Sequence, residues 1–167
     1  MAKEIERKFT VDTGTWHPAD DGIRVRQGYI PAAGRTSVRV RVADGRAWLT
    51  IKGETIGAVR SEFEYAIPVA DAHQMLDELC ARPFIEKTRY YTEYAGAVWE
   101  VDVFEGENAG LVVAEIELAS EDQAIETPPW VITEVTDDPQ VLQRVNLVAR
   151  PFSSGEQKIF LTQISRI

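Results

Sequence analysis

The 167-residue chain has one cysteine, Cys80, and two histidines, His17 and His73. A lone cysteine excludes an intrachain disulfide and a thiolate zinc cluster. The two histidines have no partner at metal-ligand spacing, which leaves a hard metal held by carboxylates as the open metal chemistry. No apolar run reaches membrane-spanning length, and the opening MAKEIERKF is charged rather than leader-like. A cytoplasmic protein with no membrane partner is expected. Positive charge is also short: Lys+Arg 18 stand against Asp+Glu 27, a net charge of -9. Such a field repels nucleic acid and anionic lipid, so a polyanionic ligand must be met by a local cluster of cations. The chain has no repeat, low-complexity tract or linker, and its length fits one domain over residues 1–167.

Eight strand-like runs are present. The first covers roughly residues 3–12, followed by Ile23 to Ile30, Ser37 to Val42, Arg46 to Lys52, Arg60 to Ile67, Phe84 to Tyr94, Ala97 to Phe104 and Leu111 to Leu118. Connectors such as Ala43-Asp44-Gly45 and Tyr94-Ala95-Gly96 suit hairpins. Between the fifth and sixth runs, Met75, Leu76 and Leu79 recur at helical spacing within Ala70 to Cys80, which predicts an amphipathic helix on the sheet. A short helical turn is expected over Glu121 to Ile125, and a further helix over Asp138 to Leu147.

Along these runs charged residues fall on alternate positions, which places them on one face. Glu4, Glu6 and Lys8 share a side in the first strand. Two carboxylates two residues apart lie roughly 6.6 Å apart along a strand, and oxygens from both can converge on a cation with bonds of about 2.1 Å. Lys8 then contacts phosphate or water beside it. Arg39 and Arg41 alternate with valines, and Lys52 with Leu49 and Ile51. Glu62 and Glu64 lie opposite Phe63 and Tyr65. Lys87 and Arg89, Glu100 and Asp102, and Glu115 and Glu117 repeat the pattern.

For one strand, such a face is most often the solvated side of a half-buried sheet. Here most strands carry charge of one sign, and like charges side by side are destabilising unless an opposite charge sits between them. Eight antiparallel strands can close into a barrel wide enough for one small ligand. The fold class expected is therefore α+β: an eight-stranded antiparallel β-barrel, a tunnel with its charged face inward and helices packed outside. Lys8, Arg39, Arg41, Lys52, Lys87 and Arg89 suit a linear oligophosphate, and Glu4, Glu6, Glu115 and Glu117 suit a divalent metal bridging it.

Glu-x-Glu-x-Lys at the start, then QGYI, VRVR, LTIKG, RSEFEY, EKTRYY, WEVDVFEG and AEIEL in order, resemble the CYTH domain of the triphosphate tunnel metalloenzymes, over residues 3–136. The resemblance implies Mg²⁺- or Mn²⁺-dependent chemistry on a triphosphate, with the inorganic triphosphatases as the most similar branch. It implies that Glu4, Glu6 and Glu117 hold a metal with Glu115 assisting, and that Arg39, Arg41, Lys52, Lys87 and Arg89 grip phosphates. Glu62, Glu64 and Asp102 would orient cations or a second metal and water. Lys8 and Tyr29 occupy the places of a Lys and Tyr that act near the attacking water.

The expected reaction is hydrolysis of tripolyphosphate to diphosphate and phosphate, with charge neutralisation supplying most of the catalysis. A lysine among arginines is expected to have a lowered pKa, which would let Lys8 accept or relay a proton. Three alternatives stay open: hydrolysis or cyclisation of an organic triphosphate, a polyphosphate-binding module without catalysis, and a sheet with a solvated charged face and no ligand; a homodimer is compatible with a barrel whose outer strands are apolar.

Overall fold

The computed structural model describes residues 5–56, 59–138 and 141. Nine strands form one antiparallel sheet: β1 (Glu6–Val11), β2 (Ile23–Ile30), β3 (Ser37–Ala43), β4 (Arg46–Ile56), β5 (Val59–Ile67), β6 (Ile85–Tyr94), β7 (Ala97–Phe104), β8 (Val112–Glu117) and β9 (Val131–Glu134). One helix, α1 (Val69–Glu78), separates β5 from β6. The spatial order is β5-β4-β3-β2-β6-β7-β8-β1-β9. Hairpins set β2 to β5 as one run and β6 to β8 as another. The long-range β2–β6 pairing joins them in register, with Val25 opposite Lys87 and Gln27 opposite Ile85.

The sheet is not the closed eight-stranded barrel expected from the strand count. Closure would need the free edge of β1 to accept β5, but that edge is taken by β9, which pairs Phe9 with Glu134 and Val11 with Val131. The ends of the described sheet are therefore β5 and β9. It nevertheless curls: one cavity is lined by residues of β1 through β8, its charged side chains coming from one face. The short ninth strand follows Pro128-Pro129-Trp130 and lies beyond the last of the eight strand-like runs. Glu121 to Ile125 holds a turn at 121–122 and no helix. The helix expected over Asp138 to Leu147 lies almost wholly outside the described residues.

Strand alternation divides apolar from charged side chains as its period of two requires. The outer face buries two cores. Over β2 to β4, α1 presses Ala72 and Leu76 against Val40 and Ala47, with Cys80 beside them. Over β1, β7 and β8 loops do the covering instead of a helix: Trp16 and Trp130 close on Phe9, Trp99, Val101, Ala114 and Ile116. Trp99 is the hub, edge-on to Phe9 at 5.4 Å and to Trp130 at 5.8 Å, a geometry that adds to the burial itself. "Helices packed outside" thus reduces, among the described residues, to α1 on one half and loops on the other. No helix among them is long and apolar enough to cross a membrane.

A third apolar cluster lies on the inner face. Ile85, Phe104 and Val113 continue the inward-facing series of β6, β7 and β8 beyond their charged positions. They meet Leu111, Val135, Val141 and Tyr29, so the charged face has an apolar floor at one end.

Glycine at position 28 lets α1 approach the backbone of β2. A Cβ there would lie 2.9 Å from Cys80 Cβ and 3.0 Å from Leu76 Cδ2, closer than packed atoms tolerate. Gly28→Ala is expected to destabilise by about 1–3 kcal/mol, lowering Tm by several degrees in a thermal melt; an unchanged Tm would show that α1 does not press on β2 as described.

Candidate functional site

Above the apolar floor is a cavity of about 820 Å³ lined by seven cations and seven carboxylates. Strand order sorts them. The centre of the wall is basic, with Lys52 on β4, Arg39 and Arg41 on β3, and Lys87 and Arg89 on β6, while β2 between them contributes no charge. The flanks are acidic, with Glu62 and Glu64 on β5 at one side and Glu100, Glu115, Glu117 and Glu6 on β7, β8 and β1 at the other.

The acidic flank is organised by β1 and β8, where Glu6 faces Glu117 and Lys8 faces Glu115. The Lys8 backbone N–H donates to Thr136 Oγ1 at 3.0 Å, and its carbonyl accepts from the Val135 N–H at 2.7 Å. Both groups turn toward β9, so these two facing pairs are of the non-hydrogen-bonded kind, in which side chains approach most closely. Lys8 Nζ reaches Glu6 Oε1 at 2.6 Å and Glu115 Oε1 at 2.8 Å, and Lys8 is only 4% exposed. Burial works against its charge, but Glu115 and Glu6 together outweigh burial and raise its pKa. The expectation of a lowered pKa for Lys8 is corrected on that ground: its neighbours are carboxylates, not the arginines of the opposite wall.

The lysine held down is Lys87. Full burial lowers its pKa and Arg89 adds to this, with Asp102 opposing. Its Nζ donates to Asp102 Oδ2 at 2.5 Å. Arg89 grips the same carboxylate with two bonds, Nε to Oδ1 at 2.7 Å and a terminal nitrogen to Oδ2 at 2.8 Å, and also meets Glu100 and Glu115. Burial alone would raise the pKa of Asp102, which is 0% exposed, but Lys87 and Arg89 hold it down at about 2. Both of its oxygens are engaged by cations and it does not line the cavity. Asp102 therefore orients Lys87 and Arg89, the first of the two roles expected of it.

On the other side Glu64 accepts from Thr50 Oγ1 at 2.9 Å and lies 3.7 Å from Arg39 and 3.5 Å from Arg41. Glu62 pairs with Lys52 at 3.0 Å. Burial and the neighbouring Arg39 lower the pKa of Arg41. The Nε atoms of Arg39 and Arg41 are buried without a hydrogen-bond partner, which is costly unless an acceptor arrives.

Glu6, Lys8, Arg39, Arg41, Lys52, Glu62, Glu64, Lys87, Arg89, Glu115 and Glu117 thus line one space. Tyr29 does not line it; it packs into the floor with Ile85 and Phe104. Glu4 lies outside the described residues. Gln27, Trp48 and Glu100 also line the cavity, although sequence reasoning gave them no site role. The alternation with Asp102 was the signal for Glu100; nothing in spacing marked the other two.

Among the described residues no three His, Cys, Asp or Glu side chains form a metal-holding group. The donor set still fits a hard cation of the magnesium kind. Such an ion takes one or two carboxylates and completes its shell with water and substrate oxygens. Glu6 and Glu117 face one another across β1 and β8, and Glu117 has no side-chain partner among the described residues.

A curled antiparallel sheet with a basic centre, acidic flanks and unpartnered guanidinium nitrogens has the chemistry of an oligophosphate site. The chain belongs to the CYTH domain family, whose model matches residues 2–150. It is 47% identical over 157 residues to the inorganic triphosphatase of Acetivibrio thermocellus, covering 94% of this chain and 100% of that protein. To the inorganic triphosphatase of Nitrosomonas europaea it is 37% identical over 142 residues, covering 81% of this chain and 90% of that one. A solved structure of an inorganic triphosphatase superposes with a TM-score of 0.65 at 32% identity, over 92% of this chain and 97% of the other.

The depressed pKa of Asp102 links stability to pH. Its carboxylate is charged in the folded state down to about 2, against an ordinary value of 3.8. The stabilisation is therefore complete above about pH 4 and is lost as pH falls toward 2, an effect of about 2 kcal/mol. Asp102→Asn should remove this part of the acid sensitivity and, by stranding Lys87 and Arg89, destabilise the protein by about 3–5 kcal/mol at pH 7. Denaturant titrations at pH 7 and pH 3 measure both effects, and wild-type stability in the variant would refute the anchor role.

Proposed function

We propose that the protein hydrolyses tripolyphosphate to diphosphate and phosphate in the presence of Mg²⁺ or Mn²⁺. The observation that carries this is the basic wall of Arg39, Arg41, Lys52, Lys87 and Arg89 along one cavity, with the buried Nε atoms of Arg39 and Arg41 left without a hydrogen-bond partner. Two relatives matched over most of their lengths are named inorganic triphosphatases.

Charge balance supports the metal requirement. The cavity's seven cations are already matched by seven carboxylates, so a triphosphate would bring uncompensated negative charge into a partly enclosed space, where repulsion is little screened. Glu6 and Glu117, with Glu115 nearby and Glu4 as the further ligand the family resemblance implies, would hold a divalent cation, which would supply the missing positive charge. The protein's own groups do the rest. Arg39, Arg41 and Lys52 hold the phosphates along the wall. Lys87 and Arg89, fixed by Asp102, stabilise charge on the transferring group and the departing diphosphate. Glu62 and Glu64 aim Lys52, Arg39 and Arg41 inward. Lys8, a firm cation between Glu6 and Glu115, keeps those two carboxylates from repelling each other and offers a donor to the substrate. Tyr29 acts through the floor, closing the end against which the chain of phosphates abuts.

Trp48, Tyr91 and Val98 line the cavity near its mouth, and Tyr91 and Val98 are about half exposed. This favours a second reading, hydrolysis of an organic triphosphate whose apolar end rests on that rim. Ranking kcat/KM for tripolyphosphate against ATP and thiamine triphosphate separates the two.

The proposal predicts phosphate release from tripolyphosphate that is abolished by chelator. Glu6→Ala and Lys8→Ala should each reduce kcat/KM by about 100-fold or more, through lost metal and charge stabilisation. Turnover unchanged in both variants would end the assignment.

A further inference from the structure

The uncharged strand at the centre of the basic wall carries a polar group with no place in the scheme so far. Gln27 on β2 lines the cavity and is 3% exposed. It sits opposite Arg41 on β3 and Ile85 on β6. One inward position along, its diagonal neighbours are Arg39, opposite Tyr29, and Lys87, opposite Val25; long side chains reach across such diagonals. Its amide has no hydrogen-bond partner among the described residues, although a primary amide offers two donors and a two-lone-pair acceptor. An amide that lines a cavity and has no such partner is free to bond to whatever enters it.

A nucleophilic water needs an acceptor to aim its lone pair, and the carboxylates that reach the basic centre are taken. Glu64 accepts from Thr50 and lies against Arg39 and Arg41. Asp102 is held by Lys87 and Arg89, and Glu115 by Lys8. A further carboxylate between Arg41 and Lys87 would be captured the same way. A neutral amide escapes capture and does not repel the phosphoryl group.

We propose that Gln27 positions the attacking water, its carbonyl Oε1 accepting a water proton while Nε2 donates to an oxygen of the terminal phosphoryl group. This role rests on the triphosphatase assignment. The water oxygen forms a bond to the terminal phosphorus as the bridging P–O bond breaks, and that electron pair leaves with the diphosphate. The water's surplus proton passes to an oxygen of the products; Gln27 neither gains nor loses one. The residue belongs to the QGYI motif, in which Tyr29 and Gly28 serve the floor and the helix contact.

The test is steady-state phosphate release from tripolyphosphate with Mg²⁺ by wild type, Gln27→Leu and Gln27→Glu, with Tm measured with and without tripolyphosphate. Both variants should melt within a few degrees of wild type and keep their Tm rise on adding tripolyphosphate. Their KM should stay within about threefold while kcat falls on the order of 100-fold, the split expected when an interaction made in the transition state is lost. A kcat within threefold of wild type in Gln27→Leu overturns the role. So does a raised KM at unchanged kcat, which would make Gln27 a phosphate contact only. A wild type that releases no phosphate overturns the activity itself and the role with it, a result distinct from an active wild type with an unimpaired variant.

Discussion

The buried carboxylate of Asp102 is the constraint on which the site depends. Lys87 and Arg89 come from neighbouring inward positions of β6, and without an opposite charge the two would repel each other in a region from which water is excluded. Asp102 lies opposite Arg89 on β7 and satisfies both cations with its two oxygens. From there ion pairs continue through Arg89 to Glu115 and through Lys8 to Glu6, so β6, β7, β8 and β1 are tied across their inner face by one chain of charges. Such a network is costly to bury and strongly destabilising to break. Its return is orientation: side chains that would otherwise sample many rotamers are aimed before a substrate arrives.

Much of the inner face was legible from parity alone. Once a strand is amphipathic, period two forces Arg39 with Arg41, Lys87 with Arg89 and Glu115 with Glu117 to one side, and all six lie on that side. Which charge meets which was not legible. Pairing depends on the β2–β6 and β1–β8 registers, which bring together segments far apart in sequence. Hence Lys8 could be expected among arginines and is found between carboxylates, with the opposite shift in pKa. Asp102 likewise has the composition of a metal ligand, and its engagement by two cations is visible only with β6 beside β7.

The open edge has a comparable explanation. Counting strong strand patterns gives eight, a number that closes a barrel. Val131–Glu134 is short, follows two prolines and has half-exposed residues on both faces, so its pattern is faint. Its effect is large, because by occupying the outer edge of β1 it takes the ladder that closure needs. The same strand's continuation holds β1 in place: Thr136 accepts from the Lys8 amide, and Glu134 receives two bonds from Arg7.

The apolar floor also follows the parity rule, and it limits what the cavity can receive. Inward positions on β6, β7 and β8 run from charged to apolar: Arg89, Lys87, Ile85; Glu100, Asp102, Phe104; Glu117, Glu115, Val113. The charged zone is thus about two inward residues deep on each strand, roughly 6–7 Å along the strand before side-chain reach is added. A phosphate chain pushed farther would have to shed water against the apolar side chains of Ile85, Phe104 and Val113, a heavy penalty for an anion. The zone therefore matches a short oligophosphate in length as well as in charge. At its lower boundary, between Arg41 and the first apolar layer, stands Gln27, where a terminal phosphoryl group and a neutral nucleophile would meet.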